Sequence, residues 1–179
     1  STYSQTTKTV GTGGNYTTLK LAFDAINAGT ITGAITLQII SNTTETTAAV
    51  LNASGTGSAN YSSVNIYPTT TGLSISGNIN GNLIDLNGAD NVIIDGRVNA
   101  SGSTKDLTIN NTSIENGAAT IRFINSAENN ILKYCILKGS TTNTVKGVVL
   151  ISTATAGSGN DRNTIEFNDI TSNESGRPN

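Results

Sequence analysis

The stretch LIDLNGADNVIID, residues 83 to 95, places two short runs of apolar residues on either side of a small-residue turn. Alternating apolar residues are typical of β-strands, whereas Gly, Asp and Asn favour turns. The same plan recurs in TIRFINSAENNILKYC, residues 120 to 135, and again between residues 148 and 167. In each copy an Asn opens the second strand, and these are Asn91, Asn130 and Asn163. The recurrence predicts repeated strand–turn–strand units.

Working outward from these copies, short β-rich runs separated by polar turns continue along the chain. Together they predict a β-solenoid, in which equivalent strands stack about 4.8 Å apart. At roughly 20 to 25 residues per coil, we expect about six or seven coils. The predicted strands are Ala34 to Ile40, Val64 to Tyr67, Leu73 to Ile75, Leu83 to Leu86, Val92 to Asp95, Leu107 to Ile109, Thr120 to Ile124, Ile131 to Leu137, Val148 to Ile151 and Thr164 to Phe167. The residues predicted to face inward are Ile84, Ile93, Ile121, Phe123, Ile131, Cys135, Val149 and Ile165.

One segment, residues 17 to 29, has the periodicity of a helix. Its apolar residues are spaced i, i+3, i+4 and i+7, a Thr precedes them, and Gly29 follows where a left-handed helix end is favoured. We therefore expect an N-terminal cap over residues 1–33, with a helix over about residues 17–28, and solenoid coils over residues 34–179. The lack of a second helical pattern argues against a doubly wound α/β fold.

The composition excludes several classes of protein. The 179 residues include no Met, no Trp and no His, charged residues make up 12%, and the net charge is −2. Such a surface lacks the basic field that nucleic acids require, and the apolar runs are too short to cross a bilayer, so we expect no nucleic-acid partner and no membrane insertion. The absence of Met predicts a processed chain or a fragment.

Candidate chemistry is sparse. Without His there is no Ser-His-Asp or Cys-His arrangement, and the single Cys135 is expected to be a buried ladder residue. Three acids, Asp85, Asp90 and Asp95, are calcium-ligand or carboxylate-pair candidates, with Arg97 beside them to bind a uronate. The alternative is that Asp90 and Asp95 occupy turns while Asp85 faces solvent. The sequence therefore predicts no catalytic residue, no cofactor and no metal site beyond these calcium candidates.

The opening VGTGGNYTTLKLAFDAINAG, residues 10 to 29, followed by ITLQII, residues 35 to 40, resembles the cap and first coil of right-handed parallel β-helix proteins of the pectin-lyase-like type. Residues 83 to 97 and 120 to 139 are similar to the N-terminal region of large bacterial surface proteins exported by the type IX secretion system. The resemblance implies an all-β right-handed parallel β-helix, a secreted cell-surface location, and contact with the export machinery. It also implies a signal peptide removed before Ser1 and further domains beyond Asn179.

These observations predict a non-enzymatic segment that acts as a spacer, an adhesin or a filament component. Residues 173 to 179 contain no capping pattern, so we expect another coil or another molecule to cover that end. The expected partners are further domains of the parent protein, a second copy stacked end to end, or extracellular glycans. The alternative is a polysaccharide-binding or polysaccharide-degrading module, because parallel β-helices carry many such activities.

Overall fold

A computed structural model describes residues 5–153 and 159–173. Over these residues the chain forms a parallel β-solenoid of about five turns, with one α-helix near the N-terminus. The elements in chain order are β1 (Gln5–Val10), α1 (Leu19–Asn27), β2 (Gly33–Ile39), β3 (Thr43–Glu45), β4 (Ala49–Asn52), β5 (Tyr61–Pro68), β6 (Leu73–Gly77), β7 (Asn82–Asn87), β8 (Val92–Asp95), a 3-10 helix (Val98–Ala100), β9 (Leu107–Asn111), β10 (Ala119–Ile124), β11 (Ile131–Lys133), β12 (Cys135–Gly139), β13 (Val149–Ile151), β14 (Thr164–Glu166) and β15 (Asp169–Ser172). The predicted fold class is confirmed.

The strands form three parallel sheets that run along the solenoid. The six-stranded sheet has the order β1-β2-β5-β8-β11-β14, the five-stranded sheet β15-β12-β9-β6-β3, and the four-stranded sheet β13-β10-β7-β4. Every complete turn of the chain adds one strand to each sheet, so residues that are far apart in sequence lie side by side.

The number of coils is smaller than the sequence predicted. Val64 pairs with Val92 on the next coil, and Ile93 pairs with Ile131 on the coil after that. Both separations along the chain are longer than the expected coil, because each coil includes three strands and loops of unequal length. The prediction of six or seven coils was wrong for this reason, since residues 5–153 and 159–173 form about five turns.

The core consists of apolar ladders that follow the strand registers. One ladder stacks Ile75, Ile109 and Leu137, and all three side chains are fully buried. Of the residues predicted to face inward, Ile84, Ile121, Phe123 and Cys135 are buried, whereas Val149 is partly buried and Ile165 is 38% exposed.

Two inward assignments were wrong. Ile93 and Ile131 are only half-buried, because Val92, Ile94 and Leu132 occupy the core positions of their strands. Successive residues of a strand point to opposite faces, so Ile93 shares the outer face of β8 with Asp95, and Ile131 shares the outer face of β11 with Lys133.

The sequence also missed a break between two strands. The predicted strand from Ile131 to Leu137 is divided at Tyr134, whose φ of 53° lies in the left-handed region. The two halves, β11 and β12, therefore belong to different sheets. Four strands were not predicted at all, and these are β1, β3, β4 and β15.

Helix α1 closes the N-terminal end of the solenoid. The Thr18 side chain accepts a hydrogen bond from the Leu21 N–H, which caps the helix. The predicted stripe is buried, and it consists of Leu19, Ala22, Phe23 and Ile26. Because α1 packs against β3 and β4, it covers the first strands of two of the three sheets.

Hydrogen bonds join α1 to the strands that it covers. The carboxylate of Glu45 on β3 accepts from the Leu19 and Lys20 N–H groups at 2.9 and 3.0 Å. At the other end of α1, the Asn27 side chain accepts a hydrogen bond from the N–H of Asn52 on β4 at 3.0 Å and donates one to the Val50 carbonyl at 2.8 Å. The helix therefore satisfies polar groups at an edge that would otherwise accept another strand.

Candidate functional site

A groove of about 330 Å³ crosses the outer face of the six-stranded sheet. The loop that follows β8, including the 3-10 helix, packs against β5 and forms one side of the groove. The groove is lined by Gln5, Thr36, Asn65, Ile66, Tyr67, Ile93, Asp95, Arg97, Ala100 and Lys133. A concave surface that combines apolar residues with a few polar groups is the usual form of a ligand-binding site.

The charged groups of the groove are engaged with one another. Arg97 Nε and Nη2 donate to the two oxygens of Asp95 at 2.8 and 2.6 Å, and Lys133 Nζ lies 3.6 Å from the same carboxylate. Burial raises the pKa of Asp95, but hydrogen bonds from Arg97 and the charges of Arg97 and Lys133 outweigh burial, so the pKa lies below its ordinary value. Asp95 is therefore a bound carboxylate and not a proton donor.

Arg97 also holds the loop that borders the groove. Its Nη1 donates to the Gly102 carbonyl at 2.9 Å, and its guanidinium lies 4.4 Å from the centre of the Tyr134 ring. Hydrogen bonds to Asp95 raise the pKa of Arg97, while burial opposes the rise. The guanidinium of Arg97, which the sequence predicted to bind a uronate, is thus hydrogen-bonded to Asp95 along its edge and packed against the Tyr134 ring on its flat side.

The calcium candidates bind different partners. Asp85 accepts a two-pronged hydrogen bond from Arg122 at 3.0 and 2.6 Å, and Asp90 accepts from the Glu128 N–H at 2.7 Å. Burial raises the pKa of Asp90, and the charge of Glu128 adds to that rise. Among residues 5–153 and 159–173, no group of three or more Cys, Asp or Glu side chains is placed to hold a metal ion.

Cys135 is a buried ladder residue, as predicted. It is fully buried, and its Sγ donates to the Lys133 carbonyl at 3.3 Å. Burial raises the pKa of the thiol strongly, and the charge of Asp95 raises it further. Because the thiolate is the reactive form of cysteine, a buried Cys135 with a raised pKa is unreactive.

A second candidate site is the end of the solenoid opposite α1, formed by β13, β14 and β15. Within the described residues, three core ladders end there on exposed Ile side chains. Across neighbouring coils, Ile151 pairs with Phe123, Ile165 pairs with Leu132, and Ile170 pairs with Leu137. The three earlier residues are at most 1% exposed, whereas Ile151, Ile165 and Ile170 are 56%, 38% and 54% exposed. We call this surface the open end.

A column of planar side chains leads to the open end along one corner of the solenoid. Arg97 lies over Tyr134, and the rings of Tyr134 and Phe167 stack with their centres 5.0 Å apart. Tyr134 and Phe167 both have left-handed backbones, with φ of 53° and 54°, which bring their side chains to the same corner of consecutive coils. Phe167 is the last member described and is 60% exposed.

Sequence reasoning missed this column. The signal was present, because aligning the later repeats by their register places Lys133-Tyr134-Cys135 beside Glu166-Phe167-Asn168. Two aromatic residues at the same position of neighbouring coils predict a stack along the axis.

Comparison of the chain with protein-family models, curated proteins and solved structures gives no match. The resemblance to pectin-lyase-like and type IX secreted proteins therefore remains an expectation from the sequence. In the parts of the chain that the structure describes, no helix has the length and apolar character needed to cross a bilayer.

Proposed function

We propose that the chain is a non-enzymatic structural segment of a secreted cell-surface protein, acting as a spacer, an adhesin or a filament component. The observation that carries this proposal is the difference between its two ends. Helix α1 closes one end, while at the other the last described residues of three core ladders are exposed Ile side chains. Removing such apolar surface from water is favourable, and a further coil would bury all three exposed Ile side chains.

The ion pairs on the outer faces support a structural role. Arg122 joins Asp85 on the neighbouring strand, and Lys133 approaches Asp95 in the same way. Each pair ties one coil to the next, so charged groups that would serve catalysis or metal binding are used to hold the stack together. A solenoid held in this way is a suitable spacer because each coil contacts only its neighbours.

The association state of the full chain tests the proposal. We expect self-association that rises with protein concentration in sedimentation velocity, because in the isolated chain the open ends of two copies can bury each other's exposed apolar ladders. Replacing Ile151, Ile165 and Ile170 by Ser should abolish the association without lowering the unfolding temperature by more than a few degrees.

Leu21 provides the matched control for this experiment, since it is 46% exposed on α1 at the closed end. A Leu21→Ser variant should associate like the wild type. The proposal would be contradicted by a chain that stays monomeric at millimolar concentration, or by association that only the Leu21 variant loses.

The groove favours a second function, that of a polysaccharide-binding module. Tyr67, Asn65 and Lys133 line an open groove and offer an aromatic ring, an amide and a cation to a sugar chain. At 3.6 Å from Asp95 the Lys133 Nζ is beyond hydrogen-bond distance, so it can turn toward a ligand. Titration with neutral and acidic glycans, with and without calcium, tests it. Binding should weaken in Lys133→Ala and not in Lys138→Ala, because Lys138 lies on β12 in another sheet. Glycan cleavage that is lost in Asp95→Ala would favour the enzymatic alternative over both non-enzymatic functions.

A further inference from the structure

We infer that the partner of the open end is a parallel β-coil that stacks a planar side chain on Phe167, and that the α1 end of a second copy is not this partner. The inference rests on the proposed function, since it specifies what covers the open end.

The aromatic column defines the first requirement. Tyr134 covers one face of the Phe167 ring at 5.0 Å, with an angle of 20° between the rings. Phe167 nevertheless remains 60% exposed, so an outer face is left for a further group. Within the chain, Tyr134 stacks on the guanidinium of Arg97 on one side and on the ring of Phe167 on the other. A covering coil with Tyr, Phe or Arg at its corner continues the column, because such groups stack favourably.

The Asn side chains define the second requirement. Asn130 accepts from the Val92 N–H at 2.8 Å and donates to the Ala89 carbonyl at 2.9 Å, both in the preceding coil. One coil later, Asn163 accepts from the Asn130 N–H at 3.0 Å and donates to the Ala127 carbonyl at 2.8 Å. A covering coil that repeats this pattern brings an Asn to the backbone of Asn163.

The corner beside the column has an Asn of the same kind. Asn168 accepts from the Cys135 N–H and donates to the Leu132 carbonyl, with both distances 2.8 Å. Coil-to-coil recognition in this protein is therefore based on Asn side chains that satisfy the previous coil's backbone groups. The covering coil must have the same strand direction, because all strand pairs within the stack are parallel.

The closed end of a second copy does not meet these requirements. Helix α1 packs over β3 and β4, and Asn27 binds both Val50 and Asn52 at the edge of β4. Among the described strands, β1 begins the six-stranded sheet, whereas the other two sheets begin with β3 and β4, against which α1 packs. Head-to-tail stacking of two copies therefore pairs at most one of the three sheets, whereas a continuing coil pairs all three.

A peptide of the chain's own coil tests the inference. The probe is the nonapeptide ILKYCILKG, residues 131 to 139, which has the β11–corner–β12 sequence and is kept under reducing conditions. Fluorescence anisotropy of the labelled peptide with the full chain should show binding. A Tyr134→Ala peptide should bind about two- to tenfold more weakly, because an aromatic stack is lost while the Cβ at the left-handed corner is kept.

A Phe167→Ala variant of the full chain, combined with the two peptides, completes a double-mutant cycle between Phe167 and the peptide's Tyr134. Both peptides should bind this variant equally, because the partner of the corner side chain has been removed. Hydrogen exchange should show that the bound peptide protects amides of β14 and β15 and not those of β1. This readout locates the peptide at the open end.

The outcomes separate the inference from the proposed function. If the two peptides bind the unaltered chain equally, the planar column plays no part and the inference is overturned, while a covered open end still stands. If neither peptide binds, the inference and the covered open end both fall. Polymers of the full chain that dissociate when Leu21 is changed to Arg would overturn the exclusion of head-to-tail stacking.

Discussion

Asp95 illustrates how single residues of this solenoid depend on neighbours that are distant in sequence. Its carboxylate binds Arg97 two residues later and lies 3.6 Å from Lys133 in the next coil. Asp85 and Arg122 are likewise far apart in the chain and joined by register. The types of these residues suggested ligands for a cation or a sugar, but strand register gave them protein partners. In the tertiary structure these acids therefore stabilise the fold through ion pairs, whereas the sequence indicated ligand binding.

We expect an Asp95→Asn variant to be less stable than the wild type at pH 7. The lost charge-assisted hydrogen bonds should lower the free energy of unfolding by about 1 to 3 kcal/mol. Because the pKa of Asp95 is lowered in the folded state, its contribution is present above the unfolded pKa of about 3.9 and is lost as pH falls through the lower folded value. The difference between the proteins should therefore shrink at strongly acidic pH.

Urea unfolding at pH 7 and at pH 2 to 3 measures this effect. The control is Asp161→Asn, because Asp161 is exposed. A constant difference between the wild type and Asp95→Asn at every pH would show that the carboxylate's charge does not stabilise the fold.

At the scale of elements, the contact between neighbouring corners limits the residues that each coil can accept. A Cβ built on Gly96 would lie 2.0 Å from the Tyr134 carbonyl oxygen and 2.6 Å from its carbon. Both atoms belong to the backbone of the next coil, so neither can rotate away. Gly96 therefore permits the close approach of β8 and β11 at the corner where Arg97 meets Tyr134.

A Gly96→Ala substitution should separate these coils and destabilise the protein by about 2 to 3 kcal/mol. Thermal unfolding measures the effect, and Gly81→Ala is the matched control, because the nearest atom to its added Cβ is 3.6 Å away. Equal unfolding temperatures for the two variants would contradict the close packing of the corner.

The α1 cap depends on another element-scale contact, between Glu45 and the helix N-terminus. Glu45 is only 2% exposed, and its two oxygens accept from two helix N–H groups. Glu45→Ala should cost about 1 to 3 kcal/mol and should speed hydrogen exchange in α1 more than in β10. Glu115→Ala, at an exposed position, is the control. Uniform acceleration of exchange across the chain would show that the cap is not a separate unit.

For the whole molecule, position along the stack decides what a core residue contributes. Leu137 and Ile170 are neighbours in one ladder, but Leu137 is fully buried and Ile170 is 54% exposed. Leu137→Ala should cost about 2 to 5 kcal/mol, whereas Ile170→Ala should cost less than about 1 kcal/mol at concentrations where the chain is monomeric. Chemical denaturation of both variants measures the difference. Equal losses would show that the open end is buried in solution.

The sequence alone determined most of the strands, the helix and the solenoid class. Alternation of apolar residues and repeated Asn turns are local signals, and so is the stripe from Leu19 to Ile26 on α1. Cys135 was likewise recognised as a core residue, because it lies in an alternating strand. These features depend on residues within one or two turns of one another, and backbone geometry alone defines their spacing.

Only the tertiary structure decided which faces of the strands are buried, how many coils form and which side chains meet across coils. Ile93 faces outward with Asp95 because Val92 and Ile94 fill the core positions of β8. The number of coils depends on loop lengths that follow no local rule. The column through Tyr134 and Phe167, the partners of Asp95 and the exposure of Ile170 arise from stacking residues that belong to different coils. Registers between coils set those contacts, and a register is a property of the packed stack, not of any one segment.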